Sequence, residues 1–268
     1  MNVSRRFAFP LLAFGLALAA AFTVSCALPS SLRGTPPLRV GLAPDLPPLA
    51  FMQDGRMAGL ELELARDLAR ALGRPVEVSS MPWKGLLRAL EERRIDVIMG
   101  GITITEERRT LVAFTHPVLE SGLLAMIRAG DLDTLNNVAA LHERGGQLGV
   151  MPGTTSDAFV QREFRKGRRV PVARAEDAPI LLQRRSIDAF VHDLPALVWL
   201  HSRNAANTAL VPQLLHREQI AWALRRDDEA LRSEIDAVLS RWKQDGSLDT
   251  AIHRWLPYYG KLVAHQSP

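Results

Sequence analysis

Charged and hydroxyl side chains at three places in the sequence could together hold a small molecule that carries both a negative and a positive group. Arg108 has a planar guanidinium, which can bind two carboxylate oxygens at once and stays charged. Asp193 follows the apolar run 187–191 and could accept hydrogen bonds from an ammonium group. Thr154 and Thr155 precede an expected helix, where free backbone N–H groups and hydroxyls attract an anion.

Each of these residues also has an ordinary structural interpretation. Arg108 stands beside Glu106 and Glu107, as a solvated surface arginine would. Thr154 could cap the N-terminus of its helix, a role that is compatible with anion binding. Asp193 could cap the helix that follows it. Residue types alone therefore do not distinguish a binding site from ordinary structure.

The elements that must position these residues form two successive α/β units. In each unit short apolar strands alternate with helices, which predicts βαβ units and a largely parallel sheet. Ligands of such sheets bind outside the carboxyl ends of the strands, where Asp193 is expected. Asp96 and Asp188 stand at strand starts and are assigned to structure. The expected strands are 38–41, 76–79, 96–99, 148–150 and 187–191, and the expected helices are 60–72, 83–93, 156–165, 178–185 and 228–255.

The composition argues against several other classes of protein. Apolar residues make up 47% and charged residues 23% of the 268 residues, as in ordinary globular proteins. The net charge of +4 comes from scattered residues, and no stripe of arginines and aromatics indicates a nucleic-acid partner. The seven histidines lack the spacing of metal ligands, and there is no phosphate loop or nucleophile elbow. We therefore expect no metal and no cofactor.

The N-terminal residues indicate export. Two arginines precede an apolar run from 7 to 24, and the only cysteine, Cys26, follows small residues. The segment 23–26, Thr-Val-Ser-Cys, resembles a bacterial lipobox, whose cysteine is acylated, although leucine is usual where Thr23 stands. We predict a signal peptide over 1–25 and a lipid-anchored tether over 26–35. An ordinary secretory signal and a retained membrane anchor are the alternatives.

Several stretches together resemble one family, the family-3 bacterial extracellular solute-binding proteins, which bind polar amino acids for ABC transporters. The most specific stretch is 95–108, Ile-Asp-Val-Ile-Met-Gly-Gly-Ile-Thr-Ile-Thr-Glu-Glu-Arg, followed by Phe-Thr-His-Pro over 114–117. The other stretches occur in the order of the family, and the likeness spans nearly the whole mature chain. They are 38–48, 54–65, 149–155, 187–193 and 245–255.

The resemblance implies a two-lobed α/β fold of the type II periplasmic-binding-protein kind. Each lobe would be a mostly parallel sheet flanked by helices, and two hinge crossings would join the lobes. We place the first lobe at 36–121 and 217–268, and the second at 122–216.

The resemblance also assigns roles at the head of the ligand. The family arginine that matches Arg108 binds the carboxylate of the ligand. Gly101 and Thr103 stand where the family uses backbone and hydroxyl groups to hold the same carboxylate end, and Thr154 and Thr155 would hold it from the second lobe. Asp193 would accept the ammonium of the ligand. A Gly pair that only ends a strand is the alternative for Gly101.

The side-chain end of the ligand pocket is less well defined. Trp83 aligns with an aromatic residue that stacks on the ligand in some relatives, but a core position at a helix start is equally plausible. Leu46 and Ala43 stand where relatives have an aromatic residue and an acid, which puts a basic ligand in doubt. Phe51 and Asp45 are expected to take over these two parts.

The resemblance leaves three functions open. The expected one is the binding component of an ABC importer, not an enzyme, located in the periplasm or on the outer face of the cell membrane. Its partners would be an amino-acid-like ligand, the transporter permease and, through the lipid, the membrane. Some relatives are dehydratases of cyclic carboxylates, which would need an extra acid such as Asp45, His192 or Glu120. A ligand sensor for a separate partner is the third possibility.

Overall fold

The structure, a computed structural model, describes residues 35–257 and Tyr259. The predicted signal peptide, the lipidation site Cys26 and all but the last residue of the tether lie outside the described residues. Among the residues that are described, no helix has the length and apolar character needed to cross a membrane.

The described chain folds into two sheet-rich α/β lobes, as the sequence predicts. The first lobe begins with β1 (Leu38–Leu42), β2 (Asp45–Leu46), β3 (Ala50–Gln53), β4 (Arg56–Ala58), α1 (Leu60–Ala71), β5 (Val76–Ser80), α2 (Trp83–Glu91), β6 (Val97–Ile98), α3 (Glu106–Arg109) and β7 (Ala113–Phe114). The next elements are β8 (Leu119–Arg128), α4 (Val138–Arg144), β9 (Gly146–Val150), α5 (Thr155–Glu163), β10 (Gly167–Pro171), α6 (Ala178–Gln183), β11 (Ala189–Asp193), α7 (Leu194–Arg203) and β12 (Thr208–Leu210). The chain then continues through β13 (His216–Ile220), β14 (Ala223–Leu224), α8 (Glu229–Gln244) and α9 (Ser247–Trp255).

Each of the two main sheets has three parallel strands at or near its centre. In the first sheet the order is β5-β1-β6-β14-β7, with β1 parallel to both β5 and β6. In the second the order is β10-β9-β11-β8-β12, with β9 parallel to both β10 and β11. The remaining pairs are antiparallel and involve β8 or β14, strands outside the βαβ units. A third, small sheet contains β2, β3 and β4.

Two neighbouring strands carry the chain between the sheets. The chain enters the second sheet along β8 and returns along β13, and the two strands pair antiparallel from Leu119–Ile220 to Leu123–His216. Just below them, the Thr115 N–H donates to the Trp222 carbonyl at 3.0 Å, and the Trp222 N–H donates to Thr115 Oγ1 at 3.1 Å. The predicted lobe boundaries, 121/122 and 216/217, fall on this two-stranded crossing.

Apolar periodicity explains the helices that flank the first sheet. In α1 the side chains of Leu60, Leu64 and Leu68 are buried on one face, and the helix ends before Gly73, whose φ of 63° suits glycine. The C-terminal helices α8 and α9 complete the same core with Val238, Leu239 and Ile252, among others. The helices thereby hold the strand ends that carry the site.

Candidate functional site

A cavity of about 300 Å³ is lined by residues that follow strands of both main sheets. The first lobe contributes residues after β1, β5 and β6, and the second contributes the loop after β9, Ala173 after β10 and the last two residues of β11. Ligands of α/β proteins bind at such strand ends. Of the nine residues predicted to bind a ligand, all but Phe51 line this cavity: Asp45, Trp83, Gly101, Thr103, Arg108, Thr154, Thr155 and Asp193.

Arg108 is held at the cavity by its own short helix. Thr105 caps α3 by accepting the Arg108 N–H at 3.1 Å, and Arg108 Nη1 donates to the Thr103 carbonyl at 2.9 Å. The guanidinium carbon lies 5.2 Å from the centre of the Trp83 ring. Burial lowers the pKa of Arg108, but the charges of Asp193 and Glu218 oppose this shift, so the group stays charged. The remaining guanidinium donors suit a carboxylate.

Glu218, which the sequence analysis missed, forms a buried carboxyl pair with Asp193. The two carboxyl groups lie close enough for each to affect the pKa of the other. Thr103 Oγ1 donates to Glu218 Oε2 at 3.3 Å, and the nearby Thr155 hydroxyl lowers the pKa of Glu218. Both residues are more than nine-tenths buried: Asp193 is 9% exposed and Glu218 is 7% exposed.

Burial raises the pKa of both carboxyl groups. The pKa of Asp193 rises to about 6, although the Arg108 charge counteracts the effect of burial. The pKa of Glu218 rises to about 7, because burial and the Asp193 charge both disfavour its ionised form. The Arg108 charge favours ionised Asp193, and ionised Asp193 in turn disfavours ionised Glu218, so a proton in this pair is favoured on Glu218. A signal for Glu218 existed in the sequence, since it alternates with Ile220 and so shares its buried face.

The glycine turn after β6 is fixed from behind by a buried acid. Gly100 and Gly101 have φ angles of 132° and 78°, which glycine alone adopts without strain. The Gly101 N–H donates to Glu61 Oε1 at 3.2 Å, and Trp222 Nε1 donates to Glu61 Oε2 at 2.8 Å. The backbone donor of Gly101 is thus engaged by Glu61. A side chain at Gly101 would also meet Leu46, whose Cδ2 lies 2.4 Å from an added Cβ.

The second lobe presents a helix N-terminus. Thr154 Oγ1 accepts the Asp157 N–H at 3.3 Å and donates to the Met151 carbonyl at 2.7 Å, so this residue caps α5. The first N–H groups of a helix have no intrahelical acceptor. Because Thr154 and Thr155 both line the cavity, α5 begins at its wall. The capping and anion-binding interpretations of this segment are compatible.

The structure places the predicted side-chain pocket residues in two different surroundings. Trp83 is the first residue of α2 and lines the cavity together with the half-buried Asp45. Phe51 lies elsewhere: its ring packs on Trp199 at 5.2 Å and on Trp255 at 6.2 Å between ring centres. Phe51 thus packs in an aromatic cluster with one tryptophan from each lobe, and it is not among the residues that line the cavity.

The three acid–base candidates for catalysis are also separated. His192 and Asp45 line the cavity, whereas Glu120 is exposed and accepts a hydrogen bond from Gln219 Nε2 at 2.9 Å. Within the described part of the chain, no group of three or more His, Cys, Asp or Glu residues could hold a metal ion.

Comparisons with known proteins agree with this architecture. The fold and the cavity define a two-lobed binding protein of the type II periplasmic class, because the structure superposes on an ancestral arginine-binding protein bound to arginine. That superposition has a TM-score of 0.75 and 29% identity, covering 84% of this chain and 99% of the other. Residues 38–258 match the model of the bacterial extracellular solute-binding proteins, family 3. The chain belongs to this family.

Two relatives differ in what they do. The L-cystine-binding protein TcyJ of Escherichia coli strain K12 is 30% identical over 227 residues, which is 83% of each chain. The cyclohexadienyl dehydratase of Pseudomonas aeruginosa is 26% identical over 234 residues, covering 82% of this chain and 83% of the relative. The relatives of this chain therefore include a binding protein and an enzyme at similar coverage.

Proposed function

We propose that this protein is the substrate-binding component of an ABC importer and that it captures an amino acid or a close analogue between its lobes. The observation that carries the proposal is that Arg108 and Asp193 line one cavity from different lobes. An α-amino acid carries a carboxylate and an ammonium on one carbon, and these two residues complement both groups.

The carboxylate of the ligand would be bound from both lobes. The Arg108 fork donates to both carboxylate oxygens, and the N-terminus of α5 at Thr154 and Thr155 adds backbone N–H donors and a favourable dipole. Thr103 positions this end, because its carbonyl accepts from Arg108 and its hydroxyl donates to Glu218. Gly101 contributes its shape, since Glu61 already engages its N–H.

The ammonium of the ligand would be bound by the carboxyl pair. Asp193 accepts the ammonium, and Glu218 lies beside it to accept a second N–H once its proton leaves. A plain carboxylic acid offers nothing to Asp193, and leaving a buried carboxylate unpaired costs about 1–3 kcal/mol. Amino acids should therefore bind far more tightly than the corresponding acids without an amino group.

The two-stranded crossing of β8 and β13 allows the lobes to close around the ligand. Carboxylate contacts from Arg108 and from α5 exist together only when the lobes meet, so the ligand stabilises the closed form. Glu218 lies on the crossing strand β13 itself. The ligand ammonium would thus contact the segment about which the lobes move.

The test is a thermal-shift panel followed by calorimetry. Ligand at 1,000 times its Kd should add about 4 kcal/mol to the stability of the folded protein, a shift of many degrees. Arg108→Ala should weaken amino-acid binding about 100-fold or more. Arg109→Ala is the matched control, because Arg109 follows on the same helix but is exposed and pairs with Glu106 at 3.4 Å. A panel of amino acids without any shift, or equal effects of both variants, would refute the proposal.

We also propose that the mature protein is anchored to the outer face of the cell membrane through a lipid on Cys26. The support is the basic, apolar and small-residue order of the first 26 residues, which ends in the only cysteine. Mass spectrometry of the exported protein should find an acylated Cys26 as the first residue. Cys26→Ser should release the protein from membranes, and an unmodified cysteine would favour an ordinary secretory signal.

An enzymatic function is the second candidate, and the buried carboxyl group of Glu218 is the feature that favours it. The protonated Glu218 could supply a proton inside a cavity, and a dehydratase of cyclic acids is among the relatives. The cavity binds opposite charges with Arg108 and Asp193, however, which suits retention of a zwitterion, and we propose that the protein is not an enzyme. Turnover of a cyclic carboxylic acid such as a cyclohexadienyl acid by the purified protein would reverse this assignment.

A further inference from the structure

Glu61 is a buried acid that does not line the cavity. It belongs to the first turn of α1 and is 2% exposed. Burial raises the pKa of Glu61 to about 7, and among the described residues only N–H donors oppose this shift. A buried carboxyl group without a cationic partner lowers the stability of a fold. Its presence here indicates a contact that a neutral side chain would not make.

The carboxylate of Glu61 joins two parts of the first lobe that have different roles. Oε1 accepts the Gly101 N–H at 3.2 Å, in the glycine turn that lines the cavity, and Oε2 accepts Trp222 Nε1–H at 2.8 Å. Trp222 is fully buried and lies between β13 and β14, where the chain returns from the second lobe. Two donors that face two oxygens require a carboxylate, because a glutamine amide would direct its own N–H at one of them.

The segment that follows the glycine turn is attached to the crossing through the backbone as well. Residues 102–104 run beside β13, with an antiparallel bridge between Thr103 and Ile220. The Ile104 N–H donates to the Gln219 carbonyl at 2.9 Å. The glycine turn is thus connected to the crossing twice, once by this pairing and once by the indole of Trp222 through Glu61.

This attachment also determines where Arg108 is held. The Thr103 carbonyl, two residues after Gly101, accepts a hydrogen bond from Arg108 Nη1 at 2.9 Å, so a displaced turn would displace the guanidinium. We infer that Glu61 is a positioning residue, which holds the glycine turn against Trp222 and thereby couples carboxylate binding at Arg108 to closure of the lobes. The inference rests on the proposed function, because its readout is the binding of an amino acid.

Fluorine NMR of the protein made with 5-fluorotryptophan tests the coupling directly. The five tryptophans give five resonances, and that of Trp222 is the one that Trp222→Phe removes. The probe is whichever of the common amino acids and L-cystine binds the unaltered protein most tightly. The Trp222 resonance should shift when the probe is added, although this side chain does not line the cavity. The Trp242 resonance, from α8 on the same core, should not shift. In Glu61→Gln the Trp222 resonance should no longer respond.

Calorimetry at pH 8, where Glu61 is mostly ionised, separates positioning from support of the fold. Trp222→Phe removes one donor and should lower affinity for the probe about ten-fold, whereas the control Trp242→Phe should change it by less than about two-fold. Glu61→Gln should lower it about 30-fold, because the amide meets an N–H donor. The double variant lacks this conflict, so its loss should stay near about ten-fold and not multiply to about 300-fold. Urea unfolding confirms that each variant is folded at the temperature of the measurement.

The outcomes distinguish the inference from the proposed function. A Trp222 resonance that ignores the probe, unchanged affinity in both single variants, or losses that multiply in the double variant would each overturn the coupling. If Trp222→Phe does not fold, its resonance is assigned by exclusion from Trp→Phe variants at the other four positions, and Glu61→Gln then decides by its affinity and by the response of Trp222. An unaltered protein that binds no amino acid would refute the proposed function, and the coupling with it.

Discussion

The two lobes are built on the same frame. Each has a central strand flanked by two parallel ones, β5-β1-β6 in the first lobe and β10-β9-β11 in the second. In each lobe, an aspartate just before one of the flanking strands accepts a backbone N–H from the central strand. Asp96, before β6, accepts from Arg39 of β1 at 3.0 Å, and Asp188, before β11, accepts from Gln147 of β9 at 2.8 Å. Their assignment to structure is confirmed. The frame therefore sets where the strands end, independently of what the ends carry.

The lobes differ in the chain that follows these strand ends. The first lobe inserts the small sheet β2-β3-β4 after β1, and a glycine turn and the short helix α3 after β6, which together place Asp45 and Arg108. The second lobe continues from β9 through one turn into α5, and from Asp193 directly into α7. The same strand frame thus positions a cation on the short helix α3 in the first lobe. In the second lobe it positions a carboxylate and the N-terminus of a helix. A ligand that needs both must join the lobes.

The largest expected effect is on stability, because removing the aspartate of the frame should destabilise the first lobe more than the second. Asp96 is bound by Arg39 and Arg225 and lies 3.9 Å from Arg74, with a side chain only 7% exposed. Asp188 bonds to Arg128 and is 24% exposed. We expect Asp96→Asn to lower the free energy of unfolding by about 3–4 kcal/mol, and Asp188→Asn by about 1–2 kcal/mol. Urea unfolding measures both, and equal losses would contradict the difference in burial.

The next effect concerns the strand ends and not the frame. Asp193→Asn keeps the shape of the side chain but removes the charge that we propose binds the ligand ammonium, so amino-acid affinity should fall about 100-fold, or about 2.7 kcal/mol. Asp177→Asn is the matched control, because Asp177 is an exposed aspartate of the same lobe whose side chain caps no N–H. Calorimetry at pH 8 checks both variants, and a loss below about three-fold for Asp193→Asn would remove this residue from the site.

The sequence predicts the frame better than it predicts the strand ends. Regular alternation of apolar strands and helices indicates both units, since burial on a sheet or a helix face has a fixed period. The signature around 95–108 and the end of β11 indicate Arg108 and Asp193. Contacts between residues that are distant in the sequence, however, leave no pattern in the local sequence. The pairing of Glu218 with Asp193 and the packing of Phe51 on Trp199 arise only when distant segments meet.

A smaller effect follows from the carboxyl pair between the lobes. In the ligand-free protein the pKa of Glu218 is raised from 4.5 to about 7, and that of Asp193 from 3.8 to about 6, chiefly by burial. The folded state then binds more protons than the unfolded state between pH 4 and 7, so its stability falls as pH rises through this window. The buried Glu61, with a pKa of about 7, adds to the same trend.

Ligand affinity should change with pH in the opposite direction. If the ligand ammonium binds at Asp193 and Glu218 as proposed, it favours their ionised forms, and the complex binds fewer protons than the free protein. Amino-acid affinity should therefore rise about ten-fold from pH 6 to pH 8. Calorimetry in buffers of different ionisation enthalpy should detect the released proton, and Glu218→Gln should flatten the profile. An affinity that is independent of pH in the unaltered protein would mean that the pair shares no proton in the cleft.

The smallest expected effect separates backbone from side chain at the start of α5. Thr155→Val keeps the shape and the helix N-terminus but removes the hydroxyl whose proximity lowers the pKa of Glu218. If the backbone N–H groups hold the ligand carboxylate, affinity at pH 8 should fall only about three-fold, the size of one weak hydrogen bond. The midpoint of the affinity–pH profile should move upwards, because Glu218 loses a donor that favours its ionised form. A 30-fold or greater loss of affinity, with no change in the midpoint of the affinity–pH profile, would show that the Thr155 hydroxyl binds the ligand carboxylate. The second lobe would then bind the ligand through a side chain, as the first lobe does with Arg108, and the contrast between the two strand ends would not hold.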